Sequence, residues 1–75
     1  MIFETVKEIL VRQLEVAPER IKPDTDIFED LGADSLDLVE LVTAIEEEYS
    51  IIIKDENVAN MTKIGQFVDF LEKTL

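Results

Sequence analysis

The chain has 75 residues, of which 18 are acidic and seven basic, and it contains neither cysteine nor histidine. This composition excludes disulfides, thiol nucleophiles, zinc sites built on Cys and His, and a Ser-His-Asp relay. Apolar residues make up 47% of the chain, which argues against disorder, and two glycines and two prolines favour helices over a turn-rich β fold. We expect a single small domain over residues 1–75.

The negative charge is concentrated in the middle of the chain. Residues 23–62 hold twelve acidic residues and one basic residue, Lys54, whereas the rest holds six of each sign. Nucleic acid is not expected as a partner, because its phosphates require a basic stripe, and a basic patch on another protein is the better complement. Without a signal peptide or an 18-residue apolar span, the sequence predicts a cytoplasmic protein that does not enter membranes.

Residues 2–14 have the pattern of an amphipathic helix. Apolar side chains recur at steps of three and four residues, at Phe3, Val6, Leu10 and Leu14. Charged and polar residues fill the positions between them, which suits the side of a helix that faces solvent. We assign this helix to the scaffold of the domain.

The next segment, residues 15–33, has no sustained period and contains both prolines. It is a long connection for so small a domain, so it must be anchored to the core. Asp24-Thr25-Asp26 does not form a calcium loop, because Phe28 stands at the next ligand position and the required glycine is missing, and no metal site is predicted. The candidate anchors are the apolar residues Val16, Ile21, Ile27, Phe28 and Leu31.

A turn at Gly32 leads into the most informative helix of the chain. Gly32 can adopt backbone angles that are closed to other residues, which suits the end of a connection. Asp34 is a good N-cap, and Asp37 adds a second carboxylate to the first turn. Ser35 then falls on the first helical position with its side chain in water. One carboxylate is enough for capping, so the serine has no evident structural task, although Ser and Asp are also ordinary helix-start signals.

This second helix, predicted from about Ser35 to Tyr49, has two different faces. One face forms a core stripe. The other carries two apolar residues, Leu36 and Val39, framed by carboxylates, and is either a plain surface or a docking face for a basic partner. The core stripe consists of Leu38, Leu41, Val42, Ile45 and Tyr49, and the opposite face of Leu36, Val39, Glu40, Thr43 and Glu47.

The last third of the chain is predicted as a loop, a short helical turn and a final helix. Ile51-Ile52-Ile53 has β character but no second strand to pair with, so we expect a tethered loop with Ile51 or Ile53 inward. Residues 55–60 suit one helical turn closed by Asn60, and Thr62 is expected to cap the last helix. Its apolar stripe consists of Ile64, Phe67, Val68, Leu71 and Leu75. The fold class is therefore all-α, a small bundle of three main helices plus one short helix, with a long first loop.

The run Asp30-Leu31-Gly32-Ala33-Asp34-Ser35-Leu36-Asp37, followed by Val39-Glu40-Leu41-Val42 and Glu46-Glu47-Glu48-Tyr49, resembles a bacterial acyl carrier protein of the freestanding, fatty-acid type. The resemblance covers nearly the whole chain and is weakest in residues 50–60. It implies a carrier rather than an enzyme, in which Ser35 bears 4′-phosphopantetheine from coenzyme A and the arm holds an acyl thioester. An unactivated serine cannot modify itself, so a pantetheinyl transferase must supply the base and the metal ion.

The resemblance also implies how partners and cargo are handled. By resemblance, the partners are fatty-acid synthesis enzymes, and the acyl chain folds back between helices into the apolar interior. The charge distribution adds that these enzymes dock through basic patches, and a shuttle is expected to be a monomer. Asp34 and Leu36 flank the modified serine, and Asp34 is a candidate ligand for the magnesium of the transferase. The predicted partner-binding residues are Asp37, Val39, Glu40, Thr43 and Glu47, and the predicted acyl-pocket residues are Phe28, Leu41 and Ile45.

Two other interpretations stay open. The chain could be a carrier for another pathway, such as polyketide assembly or D-alanyl transfer, or an unmodified acidic adaptor that binds a basic protein. A catalytic role is a distant third, because no nucleophile–base pair is visible. Thr43, Ile52 and Lys54 depart from the pattern of the family; they leave Ser35 untouched and bear on the choice of partner.

Overall fold

The computed structural model describes residues 2–58 and 60–75, without the side chain of residue 55. This part of the chain holds no strand, only a single bridge between Asp26 and Lys63. The predicted all-α fold of three main helices and one short helix is confirmed. The helices are α1 (Ile2–Leu14), α2 (Ser35–Tyr49), α3 (Asp55–Val58) and α4 (Ile64–Thr74), and a 3₁₀ turn spans Pro18–Arg20. None of the helices described is long and apolar enough to cross a membrane.

The core forms where α1 packs against α2 and α4. Each helix contributes the stripe that its periodicity predicts, and fully burying such an apolar side chain stabilises the fold by roughly 1.5–3 kcal/mol. Leu75 is an exception: it follows the end of α4, and 56% of its surface is exposed. The most deeply buried side chains of the helices are Val6 and Leu10 of α1, Leu41 and Ile45 of α2, and Ile64, Phe67 and Leu71 of α4.

The long connection between α1 and α2 is anchored by apolar and polar groups together. Ile21 and Ile27 are buried in the core, while the other predicted anchors, Val16, Phe28 and Leu31, are half-buried. These two isoleucines hold the segment against the helices. The loop is thus a fixed part of the fold rather than a slack linker.

Asp26 organises the second half of this connection. Its Oδ1 accepts hydrogen bonds from the backbone N–H groups of Phe28 (2.8 Å) and Glu29 (2.9 Å). The hydrogen bond from Glu29 is the largest of the causes that lower the pKa of Asp26 below its ordinary value of 3.8. Desolvation opposes it, while the Phe28 bond, the charge of Lys63 and a hydrogen bond with the Thr62 side chain lower the pKa further. The carboxylate is therefore ionised while it holds the turn.

The start of α4 is built into the same loop. The N–H groups of Ile64 and Gly65 donate to the carbonyl oxygens of Thr25 (3.0 Å) and Pro23 (2.7 Å). The Gln66 side-chain oxygen accepts from the N–H groups of Thr62 (2.8 Å) and Lys63 (2.9 Å). The loop and Gln66 thereby satisfy backbone donors that a helix start leaves without internal partners.

The prediction that Thr62 caps this helix is wrong. The Thr62 carbonyl accepts a hydrogen bond from Ile27 N–H at 2.8 Å, and Lys63 pairs with Asp26 in the isolated bridge. Lys63 has an extended backbone (φ −91°, ψ 142°) and is itself the N-cap residue, so α4 begins only at Ile64. The contacts of Thr62 and Lys63 with the long connection thus override the cap that the local sequence predicts.

The segment after α2 is a tethered loop, as predicted. Helix α2 ends at Tyr49 and is capped by Ser50, which has a left-handed backbone with φ 55°. Ile53 is buried, Ile51 is half-buried, and Ile52 is 89% exposed. The short helix α3 spans Asp55–Val58, which is the single helical turn predicted within residues 55–60; Ala59 lies outside the described residues, so the predicted closure at Asn60 stays a prediction.

Candidate functional site

The start of α2 is fixed by a reciprocal pair of hydrogen bonds. Gly32, at φ 72°, takes the left-handed backbone expected of it and leads the chain into Asp34. Asp34 Oδ1 accepts from Asp37 N–H at 3.0 Å, and Asp37 Oδ2 accepts from Asp34 N–H at 3.1 Å. This capping box confirms Asp34 as the N-cap and Ser35 as the first helical residue.

Ser35 stands at this start without a structural role. Its side chain is exposed, and within the described residues its hydroxyl has no hydrogen-bond partner. The two neighbouring aspartates bond to backbone N–H groups and not to the serine. The backbone N–H groups of Ser35 and Leu36 also lack partners there, as is usual for the first positions of a helix. The hydroxyl is open to a modifying enzyme, but no group beside it acts as its base.

A groove of about 370 Å³ lies beside Ser35. Its floor is the side of α2 that carries Leu38, Val42 and Thr43, and Ile53 and Val58 form the opposite wall. Most of the lining is apolar, and the volume falls within the range of small-molecule pockets. An apolar chain linked to Ser35 would find a matching surface there.

The residues predicted to line an acyl pocket do not line this groove. Leu41 and Ile45 are almost fully buried in the core, and Phe28 is half-buried. Their contact with an acyl chain stays a prediction, and it requires the core to open. The groove is lined instead by Leu38 and Val42, which lie at the edge of the predicted core stripe. Both side chains are half-buried, so part of their apolar surface is accessible.

A second groove, of about 500 Å³, runs between α1 and α2. Four of the five predicted partner-binding residues line it, namely Val39, Glu40, Thr43 and Glu47. The fifth, Asp37, does not line this groove; it is half-buried, and its Oδ2 is engaged in the capping box. The predicted docking face is therefore one continuous region of α2.

Val39 and Thr43 line both grooves. They form a ridge along the exposed side of α2, with Glu40 and Glu47 facing one groove and Glu46 facing the other. Leu36 and Val39 are 66% and 58% exposed, which is far more than a core role would allow. The outward face of α2 thus combines exposed apolar residues with carboxylates, as its sequence predicts.

An exposed serine at an open helix start, beside an apolar groove, is accessible for covalent attachment of a group that carries an apolar chain. Residues 4–71 match the family described as "Phosphopantetheine attachment site". The chain is 48% identical over 71 residues to an acyl carrier protein from Wolinella succinogenes, a match that covers 95% of this chain and 93% of that one. It is 46% identical over 71 residues to one from a Sulfurovum species, with 95% of each chain covered.

A solved structure agrees with these sequence matches. The structure of a candidate acyl carrier protein from Mycobacterium tuberculosis superposes with a TM-score of 0.91 at 25% identity and covers 100% of both chains. The chain belongs to the acyl carrier protein family. Its role is therefore to carry acyl groups rather than to catalyse a reaction, and its cofactor is phosphopantetheine.

Proposed function

We propose that this chain carries growing fatty acyl groups, as thioesters on a 4′-phosphopantetheine arm attached to Ser35, and presents them to the enzymes of type II fatty-acid synthesis. The main support is the exposed Ser35 hydroxyl, which has no hydrogen-bond partner in the described residues and lies beside the apolar groove. The arm fits this site because it needs an accessible oxygen for its phosphodiester and an apolar surface for its cargo.

The other serine of the chain, Ser50, is a natural comparison. Ser50 is also exposed, but it ends α2 in a left-handed backbone and its N–H donates to the Glu46 carbonyl. Thr25, by contrast, is buried and bonded to the backbone of Lys22 and Arg20. Ser35 alone among these three sits at a helix N-terminus, where the dipole favours an anion.

The helix start does not hold the phosphate by itself. Its dipole favours an exposed anion by only about 0.3–1 kcal/mol, and the carboxylates of Asp34 and Asp37 oppose this by a comparable amount. The phosphopantetheine is therefore held by its covalent bond to Ser35 and not by the helix dipole. A pantetheinyl transferase supplies the base that takes the proton from Ser35 Oγ as this oxygen bonds to the phosphorus next to the pantetheine of coenzyme A. The pyrophosphate P–O bond of coenzyme A breaks in the same step, and adenosine 3′,5′-bisphosphate leaves.

Docking follows from the outward face of α2. We assign the first contact with partner enzymes to Val39, Glu40, Thr43 and Glu47, which meet basic patches on those enzymes. Exposed charges give fast, weak and salt-sensitive association, which suits a carrier that must leave each partner after one step. The arm then raises the effective concentration of its cargo in the docked active site. The monomeric state and the cytoplasmic location stay predictions.

Mass spectrometry tests the attachment site. The purified apo-protein is incubated with coenzyme A, magnesium and a broad-range pantetheinyl transferase. We expect the mass of one phosphopantetheine to be added to the parent and to Ser50→Ala, and nothing to be added to Ser35→Ala. An unchanged mass of the parent would favour the unmodified adaptor, and modification of Ser35→Ala would place the arm elsewhere.

A panel of loading enzymes tests the pathway. The pantetheinylated protein is offered to a fatty-acid malonyl transferase, a polyketide acyltransferase and a D-alanyl ligase under the same conditions. We expect the fatty-acid enzyme to load it with the highest kcat/KM. Preferential loading by either of the other two enzymes would reassign the pathway and leave Ser35 as the attachment site.

A further inference from the structure

Glu46 is the only charged residue in the lining of the groove beside Ser35, among the residues that the structure describes. A carboxylate is a poor surface for an apolar chain, because an ionised group strongly prefers water or a hydrogen-bond donor. Its presence in this position calls for another role. The hydrogen bonds of Glu46 supply one.

Glu46 ties the loop after α2 back to the helix. Its side-chain Oε2 accepts a hydrogen bond from Ile53 N–H at 2.7 Å. Its backbone oxygen accepts from Ser50 N–H at the helix end and from Ile51 N–H at 3.1 Å. The side-chain bond is the one that reaches furthest along the loop, and charge-assisted bonds of this kind are stronger than neutral ones.

The residue held by this bond forms part of the groove wall. Ile53 turns inward and is 7% exposed, whereas its neighbour Ile52 is 89% exposed. Ile53 and Val58 together face the α2 side of the groove. The position of this wall relative to α2, and hence the width of the groove, therefore depends on the bond between Glu46 and Ile53.

We propose that Glu46 is a positioning residue that fixes the wall of the groove beside Ser35 and thereby determines how well a long acyl chain is sheltered from solvent. This inference rests on the proposed function, because it takes the groove as the place where the acyl chain lies. Glu46 acts through Ile53 and needs no contact with the thioester. Short acyl groups do not reach along the groove, so the exposure of their thioesters to solvent does not depend on Glu46.

Three variants separate the hydrogen bond from the charge. Glu46→Ala removes both, and Glu46→Gln keeps an acceptor oxygen without the charge. Glu48→Ala is the matched control, since Glu48 is an exposed acidic residue of the same helix with no hydrogen bond to the loop. Thermal unfolding followed by circular dichroism checks that each variant folds. If Glu46→Ala fails to fold, Glu46→Gln carries the test.

The first measurement is amide hydrogen exchange of Ile53 by NMR, on the apo-protein. A lost hydrogen bond to a charged group should accelerate its exchange on the order of tenfold or more in Glu46→Ala, with a smaller change in Glu46→Gln. Glu48→Ala should match the parent. Unchanged exchange in both Glu46 variants would overturn the proposal at its first step.

The second measurement is the rate at which hydroxylamine cleaves the thioester of the loaded protein, with octanoyl and acetyl cargo compared. We expect several-fold faster cleavage of octanoyl in Glu46→Ala, an intermediate rate in Glu46→Gln, and no change for acetyl. Equal octanoyl rates in Glu46→Ala and Glu48→Ala would overturn the sheltering role. Failure of the parent to load would overturn the proposed function as well, and is recognised separately by mass.

Discussion

Helices α2 and α4 begin in opposite ways. At α4, the N–H groups of Ile64 and Gly65 donate to carbonyl oxygens of the long connection. The Gln66 side-chain oxygen accepts from the N–H groups of the two residues before Ile64. At α2, the capping box uses the N–H groups of Asp34 and Asp37. The donors of the two residues between them stay without partners in the described part of the chain. One helix start is enclosed by the fold, and the other is left open to solvent.

The difference separates a structural helix start from a functional one. The enclosed start fastens the long connection to the core, so changes there should reduce stability without touching the carrier role. The open start contributes little to the fold beyond its cap, so its exposed serine is available for chemistry. Each prediction below tests one side of this contrast.

The largest loss of stability is expected from Gly65→Ala at the enclosed start. An added Cβ would lie 2.9 Å from the Pro23 carbonyl oxygen, closer than real Cβ atoms approach. We expect the free energy of unfolding to fall by about 1–3 kcal/mol, as for other overpacked sites. Urea denaturation measures it.

Gly32→Ala provides the comparison at the open start. A Cβ there meets nothing within 4 Å, so only the left-handed backbone at φ 72° opposes it, by about 1 kcal/mol. If the loss in Gly65→Ala does not exceed that in Gly32→Ala, the close approach to Pro23 is not what requires glycine at position 65.

A smaller loss is expected from Asp34→Ala, which removes the cap of α2. Loss of an N-cap costs about 1 kcal/mol, and Asp34→Asn should restore most of it because its side-chain oxygen still accepts from Asp37 N–H. Urea denaturation of both variants gives the values. Equal losses in the two would assign the effect to the charge of Asp34 rather than to the cap.

The effect of Asp26→Asn should depend on pH. Because the pKa of Asp26 is lowered in the folded protein from its ordinary value of 3.8, its carboxylate stabilises the fold above that pH and loses this effect as the pH falls through the lowered pKa. We expect the variant to unfold more readily than the parent at pH 7, and the difference to vanish under strong acid. Thermal unfolding across this range measures it, and a difference that does not change with pH would contradict the assignment.

The smallest change is expected from Glu40→Lys on the docking face. It should weaken association with a basic partner enzyme a few-fold at low salt and less at high salt, because exposed charges are screened. Glu4→Lys, at an exposed position of α1, makes the same charge change outside this face. Surface plasmon resonance at two salt concentrations compares them. Equal weakening in both variants would mean that net charge, not the α2 face, guides docking.

Local patterns were enough to predict most of the bundle. The bounds of α1 and α2 follow from apolar residues at helical spacing, and the cap at Asp34 follows from the chemistry of its own side chain. The exposed position of Ser35 is a consequence of the same two signals. All of these features depend on residues within a few positions of one another.

The features that the sequence did not predict depend on contacts across the fold. The delayed start of α4 results from the bond between Thr62 and Ile27, and the need for Gly65 from its approach to Pro23. The groove beside Ser35 has the same origin, since its wall comes from a loop whose Ile53 N–H donates to the Glu46 side chain. The sequence does not predict such pairs, because the two residues of each pair are not related by the three- and four-residue spacing of a helix.

The ridge formed by Val39 and Thr43 has one last consequence. These two side chains belong at once to the surface between α1 and α2 and to the groove beside Ser35. Any molecule that pushes them aside in the first groove alters the shape of the second. On the proposed function, a docked partner could therefore change the surface that the acyl chain contacts through these two side chains alone, without movement of a helix.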